Sequence, residues 1–585
     1  MAINGITRIR VLSFFIIIFA LVAATKLFFV QIVNGDKYAE VADRQYSAPT
    51  MKIFDRGSVF FMDRSGELVP AATLGTGFIL AIAPNKITDP DKTYESLNAA
   101  ISIDRDDFFR KALKKDDPYE EILRRLDKST ADFIDGLAFP GVNIYREKWR
   151  LYPWNDIGSR VIGFIGYREG GDTLEGRYGV ERYYEDVLSR KDSDLYTNFF
   201  AEIFLNLKSG IIGNAKGEGD VILNIEPKVE KALHDELKRV HDEYASDLTG
   251  GIIIDPKTGA IYAMDAVPGF NPNDVRSVRN AALFGNPLVE SVYEMGSIVK
   301  PLTMAAALDA GAVTAATTYN DEGFVIVDNA RIKNFDGKGR GVVPMQEVLS
   351  QSLNTGMVFI EKRMGNEKFR DYMKKFGVGE ETGIDLPGEV PGLADNLKSA
   401  RDIEYATASF GQGIALTPIQ IVRALSSLAN GGRMIEPHLI NRVSYKGGFS
   451  RKPSYAGEDR KVISNRASEE ITRMLVEVVD KALLGGTVKN PEYSIAAKTG
   501  TAQMAKEDGR GYYEDRYLHS FFGYFPAYDP RFLVFLYTVN PRGVNYASHT
   551  LTHPFMRITS FLLNYYQIPP DRAAQESEST KLKSR

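Results

Sequence analysis

The sequence predicts an α+β protein of several domains with one membrane-spanning helix near its N-terminus. Three observations predict this architecture. The 585 residues exceed one ordinary domain of about 100–200 residues. One nearly continuous apolar run occupies residues 11–33, and strand-like and helix-like segments follow one another from about residue 220 to Leu563.

The predicted regions follow the chain in order. We expect a cytoplasmic tail at 1–10, a transmembrane helix at 11–33, an elongated β-rich pedestal at 34–219, a larger α+β domain at 220–566 and a disordered tail at 567–585.

Composition excludes several classes of function. Hydrophobic residues make up 44% and charged residues 25%, as in ordinary globular proteins. The formal net charge of −4 argues against a dedicated nucleic-acid-binding protein. The absence of cysteine removes disulfides, thiolate metal sites and cysteine nucleophiles, and only six histidines remain. We therefore expect no metal and no cofactor.

The N-terminal apolar run fixes the predicted location. About 20 apolar residues are enough to cross a bilayer, and Lys26 is the only charge in the run. Arg8 and Arg10 precede it, so the N-terminus is expected in the cytoplasm and residues 34–585 outside the cytoplasmic (inner) membrane. The alternative is a cleaved signal peptide with Val22 and Ala24 at its cleavage site. We favour the uncleaved anchor because the apolar run continues past Lys26.

The pedestal combines several local patterns. Residues 45–80 are typical of a hairpin, whereas residues 88–136 alternate in charge and predict solvated helices. The segment 195–212 is unusually apolar, and buried core is the default interpretation. A second hypothesis is that Phe199, Phe200 and Phe204 of this segment dock a membrane partner.

The larger domain begins with clear local signals. Residues 220–225 predict a strand, and Pro227 opens a helix that runs through Tyr244 with apolar residues at helical spacing. The sequence GGIIIDPKTGAIYAM predicts a hairpin.

The chemistry begins with Ser297 and Lys300, which form the only Ser-x-x-Lys sequence in the chain. Residues three apart on a helix share a face, so the two side chains can meet. Pro301 is tolerated only in a first helical turn, which places Ser297 at or beside a helix N-terminus. Free backbone N–H groups there favour negative charge on the serine oxygen, an arrangement that activates a nucleophile without histidine.

Two further motifs each occur twice. Ser352-Leu353-Asn354 competes with Ser96-Leu97-Asn98, and Lys498-Thr499-Gly500 competes with Lys257-Thr258-Gly259. Order separates the pairs, because Ser352 lies 55 residues after Ser297 and Lys498 lies 146 after Ser352. This is the order of the penicillin-recognising serine acyltransferases. The sequence YSIAAKTGTAQ also predicts an edge strand beside which a substrate backbone could pair.

With these motifs the chain resembles a class B penicillin-binding protein, a monofunctional peptidoglycan D,D-transpeptidase. The resemblance extends over nearly the whole chain and includes RGSVFFMDRSGELV, YGVERYYEDVL, SFGQGIALTPIQIVRALSSLANGG and HSFFGYFPAYDP. It departs from the family at Val180, Met295 and Ala497, none of which supplies a reacting group. It implies a domain in which helices cover an antiparallel sheet, as in serine β-lactamases.

The resemblance also implies the roles of the site residues. Ser297 is the nucleophile, Lys300 its neutral base, Ser352 the proton relay, and Asn354 orients the substrate amide and Lys300. Lys498 supports Ser352, and Thr499, Gly500 and Thr501 bind substrate, with both threonines on the terminal carboxylate. The backbone N–H groups of Ser297 and Thr501 form the oxyanion hole.

The remaining alternatives concern biological role and chemistry. The resemblance implies peptidoglycan stem peptides and β-lactams as ligands and a SEDS-type membrane glycosyltransferase as partner, with other divisome or elongasome proteins. We favour the division type over the elongation type. A D,D-carboxypeptidase, a β-lactamase-like hydrolase, a β-lactam sensor and an inactive scaffold are less favoured, because the sequence shows neither a deacylation base nor a lost motif residue.

Overall fold

The computed structural model describes residues 54–168, 173–190, 217–446, 448–455, 460–506 and 511–572, together with Phe19. The predicted transmembrane segment 11–33 and the apolar segment 195–212 therefore lie outside the described residues, apart from Phe19. Across the described ranges, no helix combines the length and apolar character of a membrane span.

The described chain forms two compact units. The smaller unit comprises residues 75–149, and the larger unit comprises residues 56–74 and the described residues from 150 onward. The predicted boundary at residue 219/220 falls within the larger unit, because residues 56–74 and the described residues from 150 to 219 also belong to that unit. The reason is β-pairing: residues 59–60 pair in parallel with residues 221–222.

The smaller unit is mixed α+β rather than β-rich. Its core is formed by apolar residues such as Leu80, Leu97, Phe108, Ile122 and Ile134. Solvated helices occur where they were predicted, but a strand separates the second from the third. The helices are α1 (Pro90–Ala100), α2 (Arg105–Ala112) and α3 (Lys128–Gly136). The strands are the second half of β2 (Leu68–Ile82), β3 (Glu120–Leu126) and β4 (Val142–Leu151), of which β4 belongs to this unit up to residue 149. Both β3 and β4 pair with β2.

The larger unit opens with a sheet built from distant segments. The predicted hairpin is confirmed: β1 (Val59–Met62) pairs with the first half of β2, and the chain turns at Gly66 with φ of +88°. The elements up to the first long helix are β1 (Val59–Met62), α4 (Ser159–Ile162), β5 (Ile165–Tyr167), β6 (Leu174–Gly176), α5 (Gly179–Tyr183), α6 (Glu185–Leu188) and β7 (Gly219–Leu223). With β14 (Ile440–Tyr445) and β15 (Ser450–Arg451), the strand order is β15-β14-β7-β1-β2.

A buried ion-pair cluster holds this part of the larger unit together. Glu181, with a fully buried side chain, accepts from Arg56 Nε at 2.7 Å and from Arg150 Nε at 2.6 Å. Arg56 also donates to Glu185 at 2.6 Å. A buried carboxylate is stable when charged partners and hydrogen bonds satisfy it, as they do here.

The centre of the larger unit is a five-stranded antiparallel sheet in the order β16-β17-β18-β8-β9. Alternate side chains enter two cores: Phe521 packs on one face and Phe522 on the other. Helices cover both faces, as the predicted fold requires. The strands are β8 (Leu248–Ile254), β9 (Ile261–Val267), β16 (Ala496–Ala505), β17 (Tyr512–Phe525) and β18 (Phe532–Val539).

The remaining helices and small strands surround this sheet. The helix predicted from Pro227 to Tyr244 is confirmed at both ends; Pro227 is its first residue and the Glu226 carboxylate caps the Val229 N–H at 2.7 Å. The elements are α7 (Pro227–Tyr244), α8 (Pro287–Glu290), α9 (Lys300–Asp309), β10 (Thr318–Asp321), β11 (Phe324–Val327), β12 (Ala330–Lys333), β13 (Gly341–Pro344), α10 (Met345–Ser350), α11 (Asn354–Met364), α12 (Asn366–Lys375), α13 (Asp402–Ala408), α14 (Pro418–Ala429), α15 (Asn465–Glu477), α16 (Ala547–Thr550) and α17 (Thr552–Tyr565).

The predicted disordered tail begins too early. Residues 567–572 are held by the domain: the Asp571 carboxylate accepts from the Ser494 N–H at 2.7 Å, and Ile568 O accepts from the Tyr493 hydroxyl at 2.7 Å. Polar composition suggested disorder, but these specific bonds order the segment. Residues 573–585 lie outside the described part of the chain.

Candidate active site

Ser297 lies in the turn that leads into α9. After the turn Gly296–Ile298, Val299 caps the helix, and Lys300 and Pro301 are the first two residues of the helix, as predicted. Gly296, with φ of +61°, donates its N–H to Gly411 O at 3.1 Å. Ser297 is half-buried, and its hydroxyl has no hydrogen-bond partner among the described residues. The nucleophile candidate is therefore accessible.

Lys300 is fully buried, and its amine is hydrogen-bonded to residues of the second motif. Its Nζ lies 2.6 Å from Ser352 O, 3.1 Å from Ser352 Oγ and 2.8 Å from Asn354 Oδ1. No hydrogen bond joins the predicted pair Ser297 and Lys300, because the Lys300 amine donates to these three other acceptors. All three acceptors are neutral, so no carboxylate stabilises a positive charge on Lys300 here.

Ser352 is held where both lysines reach it. Lys498 Nζ lies 3.1 Å from Ser352 Oγ and 3.1 Å from Thr499 O. Ser352 adopts a left-handed backbone with φ of 56°, a conformation that costs a non-glycine residue on the order of 1 kcal/mol. This strain places the carbonyl and hydroxyl of one residue against the same amine.

Both lysines have lowered pKa values. Burial lowers the pKa of Lys300 well below its ordinary value, and the positive charge of Lys498 lowers it further. Burial lowers the pKa of Lys498 to about 8. Lys300 is therefore suited to accept a proton, whereas Lys498 still carries substantial charge at neutral pH.

The strand β16 brings the third motif beside Ser297. β16 is an edge strand, as predicted, paired on one side with β17. A Cβ on Gly500 would lie only 2.4 Å from Ser520 Oγ and 2.8 Å from Met295 O. Only glycine lets the strand approach the turn that carries Ser297 this closely. Gly500 is thus placed by packing as well as by the motif.

The two threonines lie along the exposed side of the same strand. Thr499 and Thr501 are both half-buried, and Thr501 Oγ1 accepts the Ala547 N–H at 3.1 Å. A Cβ on Gly296 would lie 2.9 Å from Thr501 O, so the backbones of Gly296 and Thr501 run close together. Backbone N–H groups and hydroxyls of this region can therefore converge on one bound group.

The structure separates the motifs from their duplicates. Ser96 and Asn98 lie on α1 of the smaller unit, and Lys257 lies in the β8–β9 turn, where it forms an exposed ion pair with Asp529. The five residues brought together are Ser297, Lys300, Ser352, Asn354 and Lys498.

Sequence reasoning missed two groups at the site. Asn354 Nδ2 donates to the carbonyl of Lys333 at 2.9 Å, and Ser520 Oγ donates to Met295 O at 3.0 Å. The contacts of a backbone carbonyl cannot be inferred from the identity of its residue. Ser520 was noticed only as part of the HSFFGYF match.

Comparison with known proteins identifies the family of the chain. The family described as penicillin binding protein transpeptidase domain matches residues 249–559, and the penicillin-binding protein dimerisation domain matches residues 55–197. Stage V sporulation protein D of Bacillus subtilis is 32% identical over 566 residues, covering 93% of this chain and 83% of that protein. Peptidoglycan D,D-transpeptidase FtsI of Buchnera aphidicola is 27% identical over 581 residues, 96% of each chain.

Solved structures support the fold. Penicillin binding protein 2X of Streptococcus thermophilus superposes with a TM-score of 0.71 at 20% identity, covering 88% of this chain and 81% of that one. Penicillin binding protein 3 of Mycobacterium tuberculosis, complexed with aztreonam, gives 0.66 at 21% identity, covering 89% and 98%.

Fold, motifs and relatives together define a serine-type penicillin-binding enzyme. The chain belongs to the penicillin-binding protein transpeptidase family, class B, and acts as a peptidoglycan D,D-transpeptidase. Relatives named peptidoglycan D,D-transpeptidase FtsI and peptidoglycan D,D-transpeptidase MrdA both match the chain.

Proposed function

We propose that Ser297 carries the acyl group in a D-alanyl-D-alanine transpeptidation that takes place outside the cytoplasmic membrane. The observation that supports this most is the environment of Lys300. It is fully buried, surrounded by neutral acceptors, close to a second lysine and three residues after an accessible serine. These features favour a neutral amine, which is the form that a general base requires.

Acylation then proceeds through named atoms. Lys300 takes the proton of Ser297 as Oγ attacks the carbonyl carbon of the penultimate D-alanine. The tetrahedral intermediate collapses with cleavage of the C–N bond to the terminal D-alanine. The proton passes from Lys300 through the Ser352 hydroxyl to the leaving amine, a path that the 3.1 Å Lys300–Ser352 contact supports.

Substrate binding uses the edge strand. The stem peptide pairs beside β16, and its terminal carboxylate lies against Lys498, Thr499 and Thr501. The backbone N–H groups of Ser297 and Thr501 stabilise the oxyanion, which is usually the largest contribution to acyl transfer. Gly500 keeps the strand close enough for both groups to act on one carbonyl.

Deacylation completes the cross-link. The amine of a neighbouring stem peptide attacks the acyl-Ser297 carbonyl and forms the new amide. The C–O bond to Ser297 breaks, and Ser297 Oγ takes up the proton that the amine gives up. A β-lactam acylates the same oxygen as its ring C–N bond opens, but its leaving amine stays tethered. Relatives in this fold have been solved with aztreonam and ampicillin bound, which supports the same sensitivity here.

The cellular setting is also a proposal. Residues 11–33 anchor the chain as a single N-in helix, and a SEDS-type glycosyltransferase supplies the glycan strands. We favour septal wall synthesis over elongation. Depletion in the native host should then produce filaments, and a fluorescent fusion of the full chain should concentrate at septa. Rounded cells and lateral-wall fluorescence would instead favour elongation.

The enzymatic proposal is tested with a donor pentapeptide that ends in D-alanyl-D-alanine and with a D-amino acid as the amine acceptor. The expected result is free D-alanine together with an amide-linked exchange product, both lost in Ser297→Ala. The matched control is Ser96→Ala, which alters the duplicate motif and should leave the rate unchanged. Release of D-alanine without exchange product would favour the carboxypeptidase alternative.

A further inference from the structure

A buried carboxylate lies behind the second motif, and the reaction scheme does not use it. Asp321, at the end of β10, is 2% exposed and forms no salt bridge among the described residues, although the charge of Arg340 acts on it from a distance. Five donor contacts from four residues satisfy it instead. Its Oδ1 accepts from Gly323 N at 3.0 Å, Asn334 Nδ2 at 3.0 Å and Thr355 Oγ1 at 2.8 Å, and its Oδ2 accepts from Asn334 Nδ2 and Arg340 N, both at 3.0 Å.

The two side chains bound to Asp321 flank one hydrogen bond of the active site. Asn334 follows Lys333, whose carbonyl accepts from Asn354 Nδ2 at 2.9 Å. Thr355 follows Asn354 itself. Asn334 and Thr355 are also joined directly, since Asn334 Oδ1 accepts the Thr355 N–H at 3.3 Å. Asp321 therefore fixes both ends of the Lys333–Asn354 contact.

This contact decides which way the Asn354 amide faces. A carbonyl only accepts, so Lys333 O requires the NH₂ group of Asn354. The amide oxygen then faces Lys300 Nζ at 2.8 Å. If the contact with Lys333 were loosened, the amide could rotate and present its NH₂ group to the amine, donor against donor.

The remaining partners of Asn334 and Thr355 make this arrangement rigid. Asn334 Nδ2 also donates to Lys338 O at 3.1 Å, and the Tyr319 hydroxyl lies 3.1 Å from Thr355 Oγ1. Asn334 and Thr355 are both buried. A fully satisfied buried network of this kind specifies one geometry, whereas a partly satisfied one is costly.

We propose that Asp321 is a positioning residue for the reaction: through Asn334 and Thr355 it holds the loop at Lys333 and so directs the Asn354 oxygen toward Lys300. The inference rests on the proposed roles of Lys300 and Asn354. Asp321 does not touch substrate, and it acts through the amide orientation alone.

The test is Asp321→Asn, measured as the first-order acylation rate constant with a chromogenic cephalosporin from pH 5 to 9.5. Rates are normalised to active-site titre, so that unfolded protein does not contribute. We expect the rate to fall about tenfold to a hundredfold, as for a small misplacement of a reacting group. We also expect the rising limb of the pH profile to move to lower pH, because the ammonium form of Lys300 loses an acceptor.

Asp385→Asn is the matched control. Asp385 is another buried carboxylate of the larger unit, and it accepts from Leu439 N, Ile440 N and the Tyr455 hydroxyl. Replacing the Asp385 carboxylate is expected to lower Tm without shifting the pH profile of acylation or changing the normalised rate. If Asp321→Asn likewise lowered Tm but left the normalised acylation rate and the rising limb of its pH profile unchanged, the proposal would be overturned.

Two further variants keep the test decisive if Asp321→Asn does not fold. Thr355→Val removes one donor to Asp321 without changing side-chain shape, and Thr472→Val, which removes a buried hydroxyl on α15, is its control. Only Thr355→Val should slow acylation and shift the limb; equal behaviour of the two variants would overturn the proposal.

A double-mutant cycle identifies the route of action. Because Asp321 acts through Asn354, the pair Asp321→Asn/Asn354→Ala should be no slower than Asn354→Ala alone, whereas additive losses would contradict the proposal. Failure of the underlying function is seen separately, as acylation that persists in Ser297→Ala.

Discussion

The side-chain amines of Lys300 and Lys498 both lie 3.1 Å from one oxygen, Ser352 Oγ. Two buried amines that share a hydroxyl cannot both carry a full positive charge without strong repulsion. Burial and this repulsion lower the pKa of Lys300 well below its ordinary value, whereas burial lowers the pKa of Lys498 only to about 8. The pair thus separates into a base and a cation.

This relationship predicts how the pH profile responds to Lys498→Met. Removing the positive charge raises the pKa of Lys300, so the rising limb of the acylation rate should move to higher pH. The measurement is the second-order acylation rate with a β-lactam from pH 5 to 10. Lys257→Met, in the duplicate motif, is the control and should leave the limb in place. An unshifted limb in Lys498→Met would show that the two amines are not coupled.

The pKa of Lys498 predicts a second limb in the unmodified protein. Lys498 is protonated below pH 8 and attracts the carboxylate of a β-lactam; as pH rises through about 8 this charge is lost. Affinity for the carboxylate should therefore fall above pH 8. A methyl ester of the same β-lactam lacks the negative charge and should show no such fall. If the affinities for the free β-lactam and for its methyl ester fell in parallel above pH 8, Lys498 would not be the group responsible.

Gly500→Ala tests the close approach of β16 to the nucleophile turn. The added Cβ would lie 2.4 Å from Ser520 Oγ and 2.8 Å from Met295 O, so the strand must move away from Ser297. We expect acylation to fall at least about tenfold, with a stability loss of about 1–3 kcal/mol typical of overpacking. Gly136→Ala, where a Cβ has open space at the end of a helix, should leave acylation unchanged and should not lower stability. Normal acylation in Gly500→Ala would show that this spacing is unimportant.

Glu181→Gln tests the buried ion-pair cluster of the larger unit. The substitution leaves Arg150 charged and buried without a carboxylate and leaves Arg56 with Glu185 alone, which should lower the free energy of unfolding by about 3–5 kcal/mol. Denaturant unfolding measures this loss. Asp242→Asn breaks the exposed pair with Lys238 and should cost less than about 0.5 kcal/mol. Equal losses in the two variants would contradict the structural role of the cluster.

Much of the fold could be predicted because its signals are local. Pro227 fixes one end of α7, a run of small residues marks β16, and a short turn sequence joins β8 to β9. The parallel pairing of residues 59–60 with 221–222 has no such signal, because it joins segments about 160 residues apart. For this reason the boundary predicted at residue 219/220 differed from the observed units.

The site divides in the same way. The reacting side chains could be found from motif order, which also excluded both duplicates. The left-handed backbone of Ser352, the Lys333 carbonyl and the Asp321 network could not, because they depend on how distant segments meet. Sequence therefore identified which residues meet, while the structure shows how they are oriented.

The most direct test of the account is the site of acylation. The full chain is treated with a β-lactam, and intact mass and peptide mapping locate the adduct. We predict one adduct per chain, on Ser297, that persists for many minutes and is absent in Ser297→Ala. An adduct on another residue, or undiminished labelling of folded Ser297→Ala, would contradict the assignment of Ser297 as the nucleophile.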